Sequence, residues 1–192
     1  GNSVFIGSGS GVNDDGSDNR NVGVGYNSLN TTITGSANTA IGFDALKTNG
    51  SGHSNVSIGY ESMYCNTSGW CNSAIGYGAL NKNTFGGCNT AIGYYSNFYN
   101  EEGECNTTIG YAAGNGTVRH NKYNNVIIGN VERYNTTTNS NANVFIGYKS
   151  GFNETGSNKL YIENSNSASP LIYGDFSNDS VSINGKFNTT GT

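Results

Sequence analysis

The chain places short apolar pairs between longer polar stretches, and the pairs return at a nearly constant interval. Nine times an aliphatic residue stands directly before a glycine. Ile6, Val24, Ile41, Ile58, Ile75, Ile92, Ile109, Ile128 and Ile146 precede Gly7, Gly25, Gly42, Gly59, Gly76, Gly93, Gly110, Gly129 and Gly147. Successive glycines lie 18, 17, 17, 17, 17, 17, 19 and 18 residues apart. Five equal intervals in a row do not arise from composition alone, and a fixed period of this length marks a solenoid.

Aligned on the glycine, each column makes a physical statement. Three residues before it stand Val4, Val22, Thr39, Val56, Ser73, Thr90, Thr107, Val126 and Val144. Positions two apart on a strand share a face, so this column and the Ile/Val column predict one core-facing ladder of β-favouring side chains. Four before the glycine is Asn in eight of nine units: Asn21, Asn38, Asn55, Asn72, Asn89, Asn106, Asn125 and Asn143. Asn stacked on Asn in the next rung can form an amide ladder. An aromatic follows the glycine in most units (Tyr26, Phe43, Tyr60, Tyr77, Tyr94, Tyr111, Tyr148) and a small residue comes two later (Ser28, Ala45, Ser62, Ala79, Ser96, Ala113, Ser150). That spacing predicts a second short strand, with the glycine at the bend. A turn rich in Gly, Asn, Ser and Thr, such as Asn49-Gly50-Ser51-Gly52, closes the unit.

The predicted fold class is therefore all-β: a parallel β-roll, or β-solenoid, of nine rungs over residues 1–156. At roughly 4.8 Å per rung it would run about 40 Å. From residue 157 the period is replaced by three alternating stretches, Lys159 to Glu163, Leu171 to Phe176 and Val181 to Phe187. They predict a short β connector over 157–192, with turns at Asn178-Asp179 and Asn184-Gly185, ending the roll before a following stem or assembly domain. Each rung offers few large aliphatics. The column two before the glycine is small in the middle units (Ala40, Ser57, Ala74, Ala91, Thr108) and large towards the ends (Phe5, Ile127, Phe145). The expectation is three parallel chains about an axis, each burying one face of its roll. A monomeric β-helix with a wider core is the alternative.

Composition sharpens this picture. Of 192 residues only 11% are charged, against about 25% in ordinary soluble domains. Hydrophobic residues reach 34%, with 29 Gly and one Pro, so no thick core can form. A net charge of -4 with 13 Tyr and 8 Phe argues against disorder, which goes with high charge and few aromatics. The nine Lys and Arg are scattered, with no basic patch for nucleic acid. No apolar run approaches the roughly 18 residues of a membrane span. The chain opens inside a repeat and is expected to be a segment of a longer protein.

The run Asn-Thr-Ala-Ile-Gly-aromatic-x-Ala-Leu, at Asn38 to Leu46 and with Ser73 for Thr at Asn72 to Leu80, resembles the head repeat of trimeric autotransporter adhesins. It is also similar to repeats in bacteriophage tail fibres and tail-fibre-like bacterial surface proteins. The resemblance covers about residues 1–152. It implies a left-handed, homotrimeric parallel β-roll on an extracellular appendage, a cell-surface adhesin or virion tail fibre, that attaches to a host cell or surface. The unit here is longer than the adhesin repeat, and its Asn lies nearer the Gly.

Candidate chemistry is sparse. Cys71, Cys88 and Cys105 are each 17 residues apart and each precedes a column Asn; Cys65 lies across a turn from Cys71. In an extracellular chain, Cys65–Cys71 and Cys88–Cys105 are the disulfides to expect, against a stack of free thiols; no tetrahedral zinc grouping is visible. Asn13 to Asn19 is the densest acidic cluster, but its order does not match the EF-hand loop, and a solvated turn accounts for it. Glu101, Glu102 and Glu104 read the same way. His53 and His120 fall in turns without a nucleophile partner, so no catalytic residue, metal or cofactor is assigned, and the chain is not expected to be an enzyme. Exposed aromatics on the turns (Trp70, Tyr95, Phe98, Tyr99, with Tyr123 and Tyr134) could stack on sugars of a cell-surface receptor. Three functions follow: a structural and adhesive trimeric fibre, a monomeric solenoid whose ranks bind an ordered surface such as ice or a glycan, or a carbohydrate-active tail-fibre segment.

Overall fold

A computed structural model describes residues 2–32, 34–130 and 140–186; Gly1, Tyr134 and Phe187 lie outside them. The described residues form twelve strands in one sheet, stacked in chain order. Nine are three residues long, one per repeat: β1 Val4–Ile6, β2 Val22–Val24, β3 Thr39–Ile41, β4 Val56–Ile58, β5 Ser73–Ile75, β6 Thr90–Ile92, β7 Thr107–Ile109, β8 Val126–Ile128 and β9 Val144–Ile146. All nine pair in parallel and in register, so each Ile or Val of the column sits over the next. The chain is a β-solenoid of nine rungs.

Among the described residues, the second strand expected after each glycine is absent. The residues two and four past the glycine take left-handed backbone, as at Asp44 and Leu46 (φ 52° and 50°) or Glu61 and Met63 (φ 49° each). Alternating left-handed residues coil the chain into turns instead of extending it. The glycines themselves end the strands at φ between 117° and 150°. A Cβ on Gly42 would lie 2.5 Å from the carbonyl oxygen of Gly59 in the next rung, so stacking permits only glycine there.

The core also differs from the expected one. The middle residue of each strand points inward: Ala40, Ala74, Ala91, Ile127 and Phe145 are fully or almost fully buried. Opposite them lie Leu29, Leu46, Met63 and Leu80 from the turns, and the small column Ser28, Ala45, Ser62, Ala79, Ser96, Ala113 and Ser150. The two sides exchange volume. Where the strand carries Gly23, Ala40 or Ala74, the turn brings Leu29, Leu46 or Leu80. Where it carries Phe5 or Phe145, the turn has Gly11 or Gly151, and a Cβ there would meet the phenyl ring at 2.4 or 2.7 Å. An interior this thin accepts one large side chain per rung.

Two files of buried asparagine close the interior. In the expected one, Asn38 Oδ1 accepts the backbone N–H of Asn55 (3.0 Å) and its side-chain amide (3.2 Å); the backbone bond repeats at every link from Asn21 to Asn143, and the amide bond at every link but Asn72 to Asn89 and Asn125 to Asn143. Asn143 Oδ1 hands the file on to the backbone N–H of Lys159 (2.9 Å). A second file, Asn49, Asn66, Asn83 and Asn100, runs along the turns; each Nδ2 reaches the glycine carbonyl three residues on. Buried backbone donors and acceptors at these corners thus find partners where no strand continues.

The connector begins as another rung. β10 (Lys159–Ile162) pairs in parallel with β9, and only β11 (Ile172–Asp175) and β12 (Ser180–Ile183) turn antiparallel. The sheet therefore crosses the expected boundary at residue 157 without a break. Asp175 holds the β11–β12 turn, accepting from Ser177 N–H (3.0 Å) and Asn178 Nδ2 (2.9 Å), and pairs with Lys159 Nζ at 2.7 Å.

Candidate functional site: the outward sheet face

With the middle strand residue inside, its two neighbours must point out. The ladder Ile6, Val24, Ile41, Ile58, Ile75, Ile92, Ile109, Ile128 and Ile146, expected in the core, is the outer face of the chain. Ile6 is 59% exposed and Ile41 40%, and Val24, Ile58 and Ile109 are half-buried. The companion column from Val4 to Val144 faces the same way. Period-two spacing fixed that these columns share a face but not which face; the narrow interior, which has room only for Gly, Ala or Ser beside Leu or Met, decides it.

The stripe does not stop with the repeats. Through strand register Ile146 continues to Ile162, Ile172 and Ile183, and Val144 to Leu160, Gly174 and Val181. Twelve strands thus present two uncharged columns, of which Val181 and Ile183 at the far end are exposed. Where roll meets hairpin, Ile146, Gly147, Ile162, Glu163, Asn164 and Leu171 line an apolar notch of about 300 Å³.

Beside the aliphatic stripe, across the bare glycine column, runs a ladder of stacked rings. Tyr26, Phe43, Tyr60, Tyr77, Tyr94 and Tyr111 follow one another at centroid distances of 5.1, 5.0, 4.9, 5.1 and 5.3 Å, within 19° of parallel. In-register stacking imposes the spacing, and the rings gain offset π contact at no cost in backbone geometry. All six are exposed, Tyr111 by 54%.

Of the candidate sugar-contacting residues, Tyr95, Phe98 and Tyr99 come together and Trp70 stands apart. Tyr95 packs on Tyr94 (4.3 Å), Tyr77 (5.4 Å) and Phe98 (4.7 Å), and Phe98 on Tyr99 (4.8 Å). Burial among these rings, with the neighbouring phenols Tyr94 and Tyr77, pushes the Tyr95 hydroxyl up to about 12. Trp70 lies on the lead-in to β5, stacked on His53 at 6.4 Å. Tyr123 takes the Asn141 side-chain oxygen on its backbone N–H (2.9 Å) and is half-buried.

The remaining candidates hold structure. Asp14 and Asp15 accept the backbone N–H groups of Gly16 (2.8 Å) and Ser17 (2.9 Å), with Asn19 Nδ2 bridging both; the Ser17 bonds hold the Asp15 carboxyl below its usual value. Cys65, Cys71, Cys88 and Cys105 are free thiols, so neither expected disulfide is present. His120 is buried under the turn of Asn100, far along the chain from exposed His53. Among the described residues no three His, Cys, Asp or Glu converge as metal ligands, and no helix is long and apolar enough to cross a membrane. Comparison with family models, with curated proteins and with solved structures returns no match.

Proposed function

We propose that the chain is a structural and adhesive segment of an extracellular trimeric fibre, a tail fibre or surface adhesin, in which three copies pack through the outward sheet face. The observation that carries this reading is the unbroken, uncharged aliphatic stripe from Ile6 to Ile183. Twelve strands about 4.8 Å apart and about 10 Å wide give roughly 500 Å² in projection. That is near the upper limit of what a monomer leaves exposed, roughly 600 Å². Side-chain relief and the adjoining ring ladder bring it towards the roughly 800 Å² per partner of a stable interface. Parallel in-register copies would set like columns against like, which suits a closed rotational symmetry. The rod would work mechanically, with a glycan or protein receptor met by exposed rings at its corners.

Light scattering tests the assembly. The expected mass is three times 20.1 kDa, falling to one chain in Ile58→Asp/Ile75→Asp with the β-type circular dichroism kept. A wild-type monomer at micromolar concentration would defeat the fibre reading. It would favour the second one, binding to an ordered surface such as ice or a crystalline glycan. For that reading there is a specific observation: the Thr39, Thr90 and Thr107 column, expected to look inward, stands half-exposed on the regular outer face.

A further inference from the structure

Three thiols stand in line on the lead-ins to β5, β6 and β7. Cys71, Cys88 and Cys105 each precede a residue of the buried asparagine file, and the register Ser73↔Thr90↔Thr107 carries the stacking back to them. Their backbone is fixed: φ is 53°, 57° and 58°. Their N–H groups donate to the carbonyls of His53, Trp70 and Gly87 in the preceding rung at 3.0, 2.9 and 3.1 Å. All three are exposed and free. Adjacent thiolates repel, and a cation between them would reverse that repulsion.

Register decides what such a line can hold. Tetrahedral zinc needs four converging donors, whereas these sulfurs are strung along the rod axis. A two-coordinate ion needs two sulfurs facing each other across two metal–thiolate bonds of about 2.3 Å each, hence about 4.6 Å. Parallel strands repeat at about 4.8 Å, so neighbouring rungs are already set at that separation. Thiolate ligands select soft ions of the Cu(I) type. We infer that Cys71, Cys88 and Cys105 form a linear site for a soft, two-coordinate metal ion, held between Cys88 and a cysteine of the adjacent rung. Two S–H protons leave as two metal–sulfur bonds form, and no oxidation state changes. The site lies on the chain's own rungs and stands independently of the fibre reading.

The chain's single tryptophan reports on it. Trp70 precedes Cys71, and its ring lies against Gly87, whose added Cβ would be 2.6 Å from it. The full chain, reduced and free of oxygen, is titrated with Ag(I), following Trp70 fluorescence and bound metal by native mass spectrometry. Quenching should saturate at one to two ions per chain. Cys71→Ser and Cys105→Ser each leave one adjacent pair and should retain one ion. Cys88→Ser leaves the other two thiols a rung too far apart and should weaken binding by about 100-fold or more, as chelation is lost. Cys65→Ser should bind as wild type. Ser54 already occupies this column at φ 57°, so serine fits the fold. Wild-type affinity in Cys88→Ser, equal losses from each of the four variants, or a loss confined to Cys65→Ser would overturn the site.

Discussion

Replacing Asn72 with alanine isolates the worth of one link in the buried asparagine file. Asn72 is 1% exposed. Its Oδ1 accepts the Asn89 N–H at 2.9 Å, and its Nδ2 donates to Asn55 Oδ1 (3.1 Å) and the Gly86 carbonyl (2.9 Å). The three losses are unequal. Gly86 O keeps the Asn83 amide at 3.0 Å, and Asn55 Oδ1 keeps the Asn72 backbone N–H at 2.9 Å. The Asn89 N–H loses the acceptor it has here, and an orphaned buried donor costs about 1–3 kcal/mol. With the void left by the amide, the total should reach roughly 2–4 kcal/mol, a large share of the roughly 5–15 kcal/mol that holds a domain together. Urea unfolding would show the loss as a lower midpoint. Because rungs contact only their neighbours, hydrogen exchange should localise it, with amides of β5 and β6 speeding up by roughly 30- to 700-fold. Exposed Thr67, bonded to the Thr84 carbonyl at 3.0 Å, is the control, and Thr67→Ala should stay within about 0.5 kcal/mol. If Asn72→Ala were as mild as that control, the file would be a by-product of stacking and not a cause of it.

Three further outcomes are expected. Phe145→Ala should destabilise by about 3–5 kcal/mol, and adding Gly151→Leu should recover part of it, since Leu29, Leu46 and Leu80 hold the same left-handed position; thermal melts of the single and double variants would show no recovery if the two sides do not share volume. Gly76→Ala would put a methyl 2.5 Å from the Gly93 carbonyl oxygen at φ 132°, so a fall of roughly 10 °C in Tm is expected from about 3 kcal/mol or more of strain; an unchanged Tm would mean the rung spacing yields easily. In alkaline titration followed by phenolate absorbance, Tyr95 should ionise late, near 12 instead of 10.0. The fold favours its neutral form, so that contribution to stability is intact below about pH 10 and drains away as pH rises towards 12; Tyr95→Phe should flatten this part of the stability profile.

The seventeen-residue period made the rungs, their order and their register legible, because stacking demands that like positions recur. Orientation was not legible. Large aliphatics usually go inside, and that habit placed Ile41 and Ile75 in a core that has space only for Ala40 and Ala74. The exchange of Phe145 for Leu46 across the interior was visible as a widening column, but its compensation at Gly151 needed the turn to be folded back. Asn49, Asn66, Asn83 and Asn100 recur at the same interval as the first file, yet they read as ordinary turn residues until the Gly52-type carbonyls they serve were in place. The strand after the glycine failed for a different reason: Leu29, Leu46 and Leu80 sit in left-handed backbone, which a Leu in a sequence does not signal.

One rung of the roll is longer than its neighbours, and its register survives. Between Gly110 and Gly129 the spacing grows by two residues, yet Lys122 stands where Gly103 stands one rung earlier, its carbonyl taking the Asn106 amide at 2.6 Å. The surplus is spent at the corner around Asn115 to Arg119, outside the two asparagine files. Corners of this kind are natural graft points: a foreign peptide spliced between Thr117 and Val118 would hang from the rod at a defined height, leaving the rungs above and below undisturbed.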